Sequence, residues 1–337
     1  MVRLIDISKR VGVSVMTVSK ALRDQPDVSA ATRAKIKRAA AEMGYVPDSG
    51  AQLLRTNKSK LIGLVIPSTT NPVFARMVLA IEERMREFGY DMLLKHTQNH
   101  SEVEEMCLRR LLARRVDGLL IAPVYRMESS VRIYKELLAR KVPVVLLGSP
   151  AAFCSQFACA QSDDIQASQA ATKHLLELGH RRIAYFTGPL AAPWAQERFE
   201  GHRRAMRDAG LEVDDHMVFH AGATIEDGTK ATLQMINEHC DATAVLAVND
   251  LVAIGCGVTL IQQGINIPRD ISLVGFGNTL VAEHFRVPLT TIRQPKFRLG
   301  VAACDMLMQL IRGETVQSKR LPAELTIRNS TAPPSKR

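Results

Sequence analysis

The residues of this chain best placed to do chemistry lie within IDISKRVGVSVMTVSKAL, residues 5–22, and their types suit recognition rather than catalysis. Lys20 carries a cation able to reach a guanine edge. Thr17 and Ser19 carry hydroxyls able to take phosphates, and Val15 and Met16 are apolar tips able to touch thymine methyls. Such groups act together only if one helix presents them on one face. The spacing predicts a first helix over about Leu4 to Val11 that buries Ile7 and Val11. Gly12 then permits a sharp turn that a Cβ would resist, and Ser14 is placed as the N-cap of the second helix. In that helix Val18 and Leu22, four apart, form the expected buried face. Val28 and Ser29 open a third helix, Ala30 to Met43, closed by Gly44, with Ile36, Ala40 and Met43 inward. Three helices in so short a stretch suit a unit that docks one recognition helix in the DNA major groove. A plain two-helix hairpin with a solvated face is the alternative.

Charge favours the first reading. Residues 1–60 hold twelve Lys or Arg against five Asp or Glu, a net of +7, whereas the whole chain is +10. The other 277 residues therefore carry only +3. Positive charge confined to one end is the electrostatic footprint of a nucleic-acid module joined to something else.

A chain of 337 residues has room for more than one domain. MVRLIDISKR contains no apolar run of signal-peptide length, and no later segment reads as membrane-spanning. Cys107, Cys154, Cys159, Cys240, Cys256 and Cys304 form no CxxC pair and no disulfide framework, so a reduced, cytoplasmic setting is expected. Cys256 and Cys304 read as core residues, and Cys154 and Cys159 are close enough in sequence to approach each other.

The segment YVPDSGAQLLRTNKSK, residues 45–60, reads as a linker marked by Pro47 and Gly50. Ala51 to Thr56 has the length of about two helical turns. That is too short to stand alone in water, so it needs a surface to fold on or else remains a tether.

From Leu61 strands and helices alternate. LIGLVIP, YDMLLKH, DGLLIAP and VPVVLLG are strands, separated by helices over about Val73 to Phe88, Ser101 to Arg114 and Glu128 to Arg140. A second series follows. A helix ends near Leu178, and then come RRIAYFTGP, helix Pro193 to Ala209, a strand near Met217 to His220, helix Glu226 to His239, TAVLAVN, helix Asp250 to Gln263 and ISLVGFG. The near-continuous apolar strands predict parallel sheets covered on both faces. Two such series predict an α/β fold with two doubly wound subdomains, with ligands beyond the strand carboxyl ends. LTTIRQ and the helix from Phe297 to Ile311 are expected to return to the first subdomain and ELTIR to the second. The first subdomain then spans about 61–161 and 294–320, and the second 162–291 and 321–328. NSTAPPSKR, residues 329–337, is polar and proline-containing, and disorder is expected there.

Two other classes were weighed. GFGNTL, starting at Gly275, follows a strand as a dinucleotide loop would. Its third glycine position holds Leu280, however, and no long helix clearly follows. GxxxxGK[ST], HExxH and GxSxG are all absent. His216 and His220 sit on a strand or its loop, where a four-residue spacing builds no metal site. His180 is expected at a helix end, where a cation suits the dipole. A transport-type binding protein fits the core but not the basic first sixty residues.

The order of motifs resembles the LacI/GalR (lactose-repressor) family of bacterial transcription regulators over essentially the full length. The resemblance rests on VSVMTVSKAL, VSAATRAKI, MGYVPD, the AQLLR hinge, IGLVIP followed by NPVF, RRVDGLLI, LGHRRIAYFTGP, RFEGHRRAM, AVNDLVAIG, ISLVGFGN and VPLTTIRQP. It implies a homodimer or tetramer on a palindromic operator, a core of the periplasmic sugar-binding type, and a carbohydrate-like effector in the interdomain cleft that changes DNA affinity. No cofactor, metal, membrane contact or enzymatic activity is implied.

By the resemblance, Val15, Met16 and Lys20 fall on base-reading positions. Ser14, Thr17, Ser19 and Tyr45 fall on positions near phosphates or the groove edge. Leu54 matches the hinge leucine that wedges into the operator's central minor groove. In the cleft, Arg198 matches the effector-binding arginine, Asn249 a cleft asparagine, Phe74 an aromatic wall and Trp194 a loop position touching effector, with Asn278 beside them. Two departures stand out. Gly277 replaces an acid common after the last strand's GF, and Ala223 replaces an aromatic platform. An acid commonly holds sugar hydroxyls at the former position, so its absence weakens the transfer of any specific neutral sugar.

Overall fold

Leu4–Val11 (α1) ends where Gly12 adopts φ +78°, the left-handed turn that favours glycine, and Val15–Leu22 (α2) follows at once. Ser14 caps α2 by accepting from the Thr17 N–H at 3.1 Å. Ser29 caps Ala30–Glu42 (α3) in the same way through the Thr32 N–H at 3.2 Å. Ile7, Val11, Val18, Ala21, Val28, Ile36, Ala39 and Ala40 make one buried cluster. Fully burying Ile7, Val18 or Ile36 stabilises by about 1.5–3 kcal/mol each. One expectation is corrected here. Val18 is paired inward with Ala21, while Leu22 is half-buried at the cluster's edge, because the helix ends at Leu22 and its last turn rotates toward solvent.

The structure is a computed structural model describing residues 2–46 and 58–335. It divides into two units, Met1–Ser59 and Lys60–Arg337. The proposed hinge helix, Leu54 included, lies outside the described residues.

In the larger unit Leu61–Ile66 (β1), Pro72–Glu87 (α4), Asp91–His96 (β2), Ser101–Ala113 (α5), Gly118–Ile121 (β3), Arg132–Ala139 (α6), Val144–Leu147 (β4) and Ala158–Ser162 (β5) build the first layer. The chain then crosses to Asp164–Glu177 (α7), Ile183–Thr187 (β6), Pro193–Asp208 (α8), Val218–His220 (β7), Ile225–Asn237 (α9), Ala244–Ala247 (β8), Asp250–Gln262 (α10), Ser272–Phe276 (β9), Leu280–Glu283 (α11) and Thr290–Arg293 (β10). It returns through Lys296–Ile311 (α12) and Lys319–Leu321 (β11), then crosses again to Glu324–Thr326 (β12).

The first sheet has the order β11-β5-β4-β3-β1-β2 and the second β12-β10-β9-β8-β6-β7. Every pairing is parallel except the antiparallel β10–β12. The fold class is therefore as expected, two doubly wound sheets joined by three crossings. Each sheet is sandwiched between apolar clusters on its two faces. The helix pair α9–α10 closes tightly. A Cβ on Gly255 would lie 2.0 Å from the Ile225 carbonyl oxygen, which explains a glycine in mid-helix.

Three expectations differ from the structure. LTTIRQ does not return to the first subdomain: β10 pairs with β9 in the second sheet, and the return begins with α12. Strand β5 was not foreseen, because ACAQS lacks the β-branched run that marks its neighbours. The tail is ordered through 335. Ser330 is fully buried, accepts from the Thr290 N–H at 2.8 Å and donates to the Leu273 carbonyl. His180 Nε2 lies 2.9 Å from the Ala332 carbonyl oxygen. Polar composition suggested disorder, but these polar groups pair with backbone that the sheet leaves open. His180 is accordingly a buried staple rather than a cation on a helix end. It also contacts Thr243 and Ser272, and burial holds its pKa below the usual histidine value.

Candidate functional site

On the first unit α2 presents the expected side chains. Met16 is 67% and Val15 40% exposed, leaving two apolar tips bare. Ser14 Oγ and Thr17 Oγ1 lie 2.9 Å apart at the helix start. Ser19 is engaged by Arg23, which donates to its carbonyl at 2.8 Å and its hydroxyl at 3.2 Å. Lys20 Nζ donates to Asp27. Tyr45 closes α3 through its N–H to the Ala40 carbonyl at 2.9 Å and packs on the headpiece core. Val15 and Met16 are thus bare to solvent, but the cation of α2 is already paired, which the spacing did not reveal.

In the second unit a cavity of about 320 Å³ lies between the two sheets. It is lined at strand carboxyl ends by residues such as Pro67, Val124, Ser149 and Ser162 of the first layer and Pro189, Asn249, Phe276 and Gln294 of the second. Parallel strands all end on one side, so their following loops and helix starts converge there. Phe74, Trp194, Arg198 and Asn249 all line it, and Asn278 does not. Asn278 takes a left-handed φ of +48°, and its Oδ1 accepts from the Arg328 guanidinium at 2.7 Å. The side chain is thereby committed to Arg328 and is withdrawn from the effector set.

Arg198 is buried, on α8. Its Nε donates to Asp164 Oδ2 at 2.7 Å and one terminal nitrogen donates to the Val248 carbonyl at 2.6 Å. The guanidinium lies 3.7 Å from the Phe276 ring centroid and 4.7 Å from that of Trp194. This answers what Trp194 does in the free protein: it borders the cavity and walls one side of Arg198. Asn249 caps α10 by accepting from the Val252 N–H at 2.8 Å, and its amide donates to the Ala223 carbonyl at 3.0 Å. Both ends of that amide are taken, so Asn249 fixes the cavity wall at Ala223.

Two lining carboxylates were missed. Asp164 holds Arg198 and accepts from Ser162 Oγ. Asp250 accepts from the Thr279 N–H at 2.7 Å, Thr279 Oγ1 at 2.9 Å and Thr291 Oγ1 at 2.5 Å. Burial pushes the Asp250 carboxyl up, against the pull of those donors. The available signal was SDD and VND, an acid at the strand-to-helix junction. Gly277 takes a φ of +141°, which favours glycine, and Asp250 adds a second reason. A Cβ there would lie 3.1 Å from Asp250 Oδ2, so an acid at 277 would bring a second carboxylate beside a buried one.

Glu197 joins the two layers at the cavity's edge. It accepts from Ser149 Oγ at 3.1 Å and from Arg320 at 3.1 Å. Among the described residues the lining contains no His, Lys or Cys. Among the described residues no cluster of three or more His, Cys, Asp or Glu is placed to hold a metal ion, and no helix is long and apolar enough to cross a membrane.

Comparison with known proteins places both units in one family. Residues 3–48 match the family described as bacterial regulatory proteins, lacI family. Residues 59–329 match periplasmic binding proteins and sugar binding domain of LacI family. The Escherichia coli ribose operon repressor is 33% identical over 318 residues, 94% of this chain and 95% of its own length. The lac repressor dimer bound to operator and the anti-inducer ONPF superposes with a TM-score of 0.85 at 29% identity, covering 98% of this chain and 99% of the other. A complex of the transcriptional regulator CelR with cellobiose gives 0.75 at 30% identity, with coverage of 98% and 100%. The chain therefore belongs to the LacI family of bacterial regulatory proteins, and it is a DNA-binding transcriptional regulator, not an enzyme, with a periplasmic-binding-protein-like core.

Proposed function

We propose that this protein is a repressor that binds a palindromic operator as a dimer and responds to a small, neutral, oxygen-rich metabolite of the carbohydrate class. The observation that carries the effector half is the charge of the cavity. Its lining cation, Arg198, is already matched by Asp164, and the lining also holds the buried carboxyl of Asp250. A sugar acid or phosphosugar would add a negative charge to a lining that has no free cation among its described residues. Hydroxyls suit it better, with Phe74 and Trp194 covering apolar ring faces. The relatives named above are a ribose operon repressor and a cellobiose complex, which favours the same class.

A thermal-shift screen of neutral sugars, polyols, sugar acids and phosphosugars tests this. A cleft ligand at a hundredfold excess over its Kd stabilises by about 2.7 kcal/mol. Hits confined to the neutral compounds are expected, and a response to the acids alone would refute the assignment.

For dimerisation the support is large apolar side chains left exposed: Leu79 on α4, Leu280 and Val281 on α11, and Phe297 on α12. A second copy would cover such surface. Whether two dimers join further is a question for sedimentation.

On DNA, Val15, Met16 and Lys20 are assigned to base edges, and Ser14, Thr17, Ser19 and Tyr45 to positioning on the backbone. Leu54, outside the described residues, is assigned to the operator's central step on the family resemblance alone. Lys20→Ala is expected to change the preferred sequence at one symmetric position per half-site, at a cost on the order of 1–3 kcal/mol. Selection from random duplexes reads this directly. An identical consensus from both proteins would remove Lys20 from base reading.

A further inference from the structure

The reading face of α2 carries a charge pair that base recognition by Lys20 does not require. Lys20 Nζ donates to Asp27 Oδ2, from a turn seven residues on and two before the α3 cap Ser29. The pair is no part of the headpiece framework, since its side chains are 40% and 49% exposed. Neighbouring charges are engaged elsewhere. Asp24 takes Lys37 at 2.6 Å and Arg33 at 3.7 Å, and Arg23 folds back on Ser19. The Lys20 ammonium holds the Asp27 carboxyl below the usual carboxylate range, which favours its charged form.

We propose that Asp27 is a specificity-determining residue. Its carboxylate competes with the base edge for Lys20, and only a base offering better acceptors draws the ammonium away. This rests on the assignment of Lys20 to base reading.

Guanine offers two major-groove acceptors, N7 and O6, whereas adenine sets an amino donor beside its N7. Releasing Lys20 from Asp27 costs the same on every sequence, but only the right base compensates for it. On a wrong base Lys20 stays with Asp27, and a carboxylate within reach of the reading side chain then faces a phosphate-lined groove that repels it. An unpaired lysine would settle on any phosphate or acceptor, so freeing it gains more on a wrong sequence, where Asp27 otherwise holds Lys20, than on the right one, where the base already draws it away. Asp27 therefore lowers affinity everywhere and widens the gap between right and wrong sites.

The test uses the full-length protein, a duplex selected by it from a random pool, and a scrambled duplex of equal length. Kd is measured at fixed salt for the wild type, Asp27→Asn, Lys20→Ala and the double variant, below the melting temperature of each. Asp27→Asn should tighten the scrambled duplex more than the selected one, narrowing their ratio about threefold, the scale of an exposed charge pair. With Lys20→Ala already present, Asp27→Asn should leave the ratio unchanged. An unchanged or wider ratio in the single variant overturns the proposal, and so does a narrowing that persists without Lys20. Failure of the underlying assignment is separately visible, as an unaltered consensus for Lys20→Ala.

Discussion

Arg198→Ala should abolish the effector response while leaving operator binding in place, and should also lower stability by roughly 3–5 kcal/mol, because it strands Asp164 as an uncompensated buried charge. The two effects have separate origins and can be separated. Asp164 is nearly enclosed, and Arg198 and Ser162 are the side chains that answer its oxygens. Adding Asp164→Asn removes the stranded charge and should recover about 1–3 kcal/mol, the usual coupling within a shared network. It should not restore the ligand response, because the guanidinium that faces the cavity is still missing. Denaturant melts of the wild type, the single and the double variants measure the first effect. Calorimetry with a sugar found by the thermal screen measures the second. Unchanged ligand affinity in Arg198→Ala, at a temperature where it is folded, would leave Arg198 with a structural role only.

Stability should fall as pH is lowered from 7 to 4.5, and His202 should account for about 2.5 kcal/mol of the loss. His202 is fully buried on α8, stacked at 4.9 Å on Tyr185. Its Nδ1 lies 3.1 Å from Thr172 Oγ1, whose own proton goes to the Ser168 carbonyl, so Nδ1 is the protonated nitrogen. Nε2 has no hydrogen-bond partner among the described residues. Burial holds the pKa down at about 3, against an ordinary 6.5. The folded state thus keeps the ring neutral while the unfolded chain protonates it below 6.5. Stability is full above that value and is lost progressively as pH falls toward the folded value. His202→Phe keeps a ring against Tyr185 and Phe199 and removes the titration. Its melts should show the shallower pH dependence by the stated amount. His174 and His180, also held down by burial, act equally in both proteins and cancel in the difference. Parallel pH profiles would mean that His202 is not the group responsible.

Much of the design was legible locally. The three headpiece helices, both serine caps, the Gly12 turn and most strands of the two sheets follow from signals within a few residues of one another: periodicity, capping groups and apolar runs. Phe74, Trp194, Arg198 and Asn249 follow from the family resemblance, and all four line the cavity at the end where the parallel strands' following loops converge.

What escaped were relations between residues distant along the chain. Nothing in NSTAPPSKR announces that Ser330 satisfies backbone at Thr290 and Leu273. Strand β10 belongs to the second sheet because of its register with β9, which neighbouring residues do not encode. Asn278 reads as a cleft residue until Arg328, fifty positions on, takes its side chain. The pairs Arg198–Asp164 and Lys20–Asp27 likewise set how much charge each site has left to offer a ligand or a base. The sequence by itself determined most helices and strands and, through the resemblance, four of the side chains that line the cavity. The tertiary structure decided which of those side chains remain free to bind, because a hydrogen bond or ion pair depends on distance in space, and only the folded chain sets that distance.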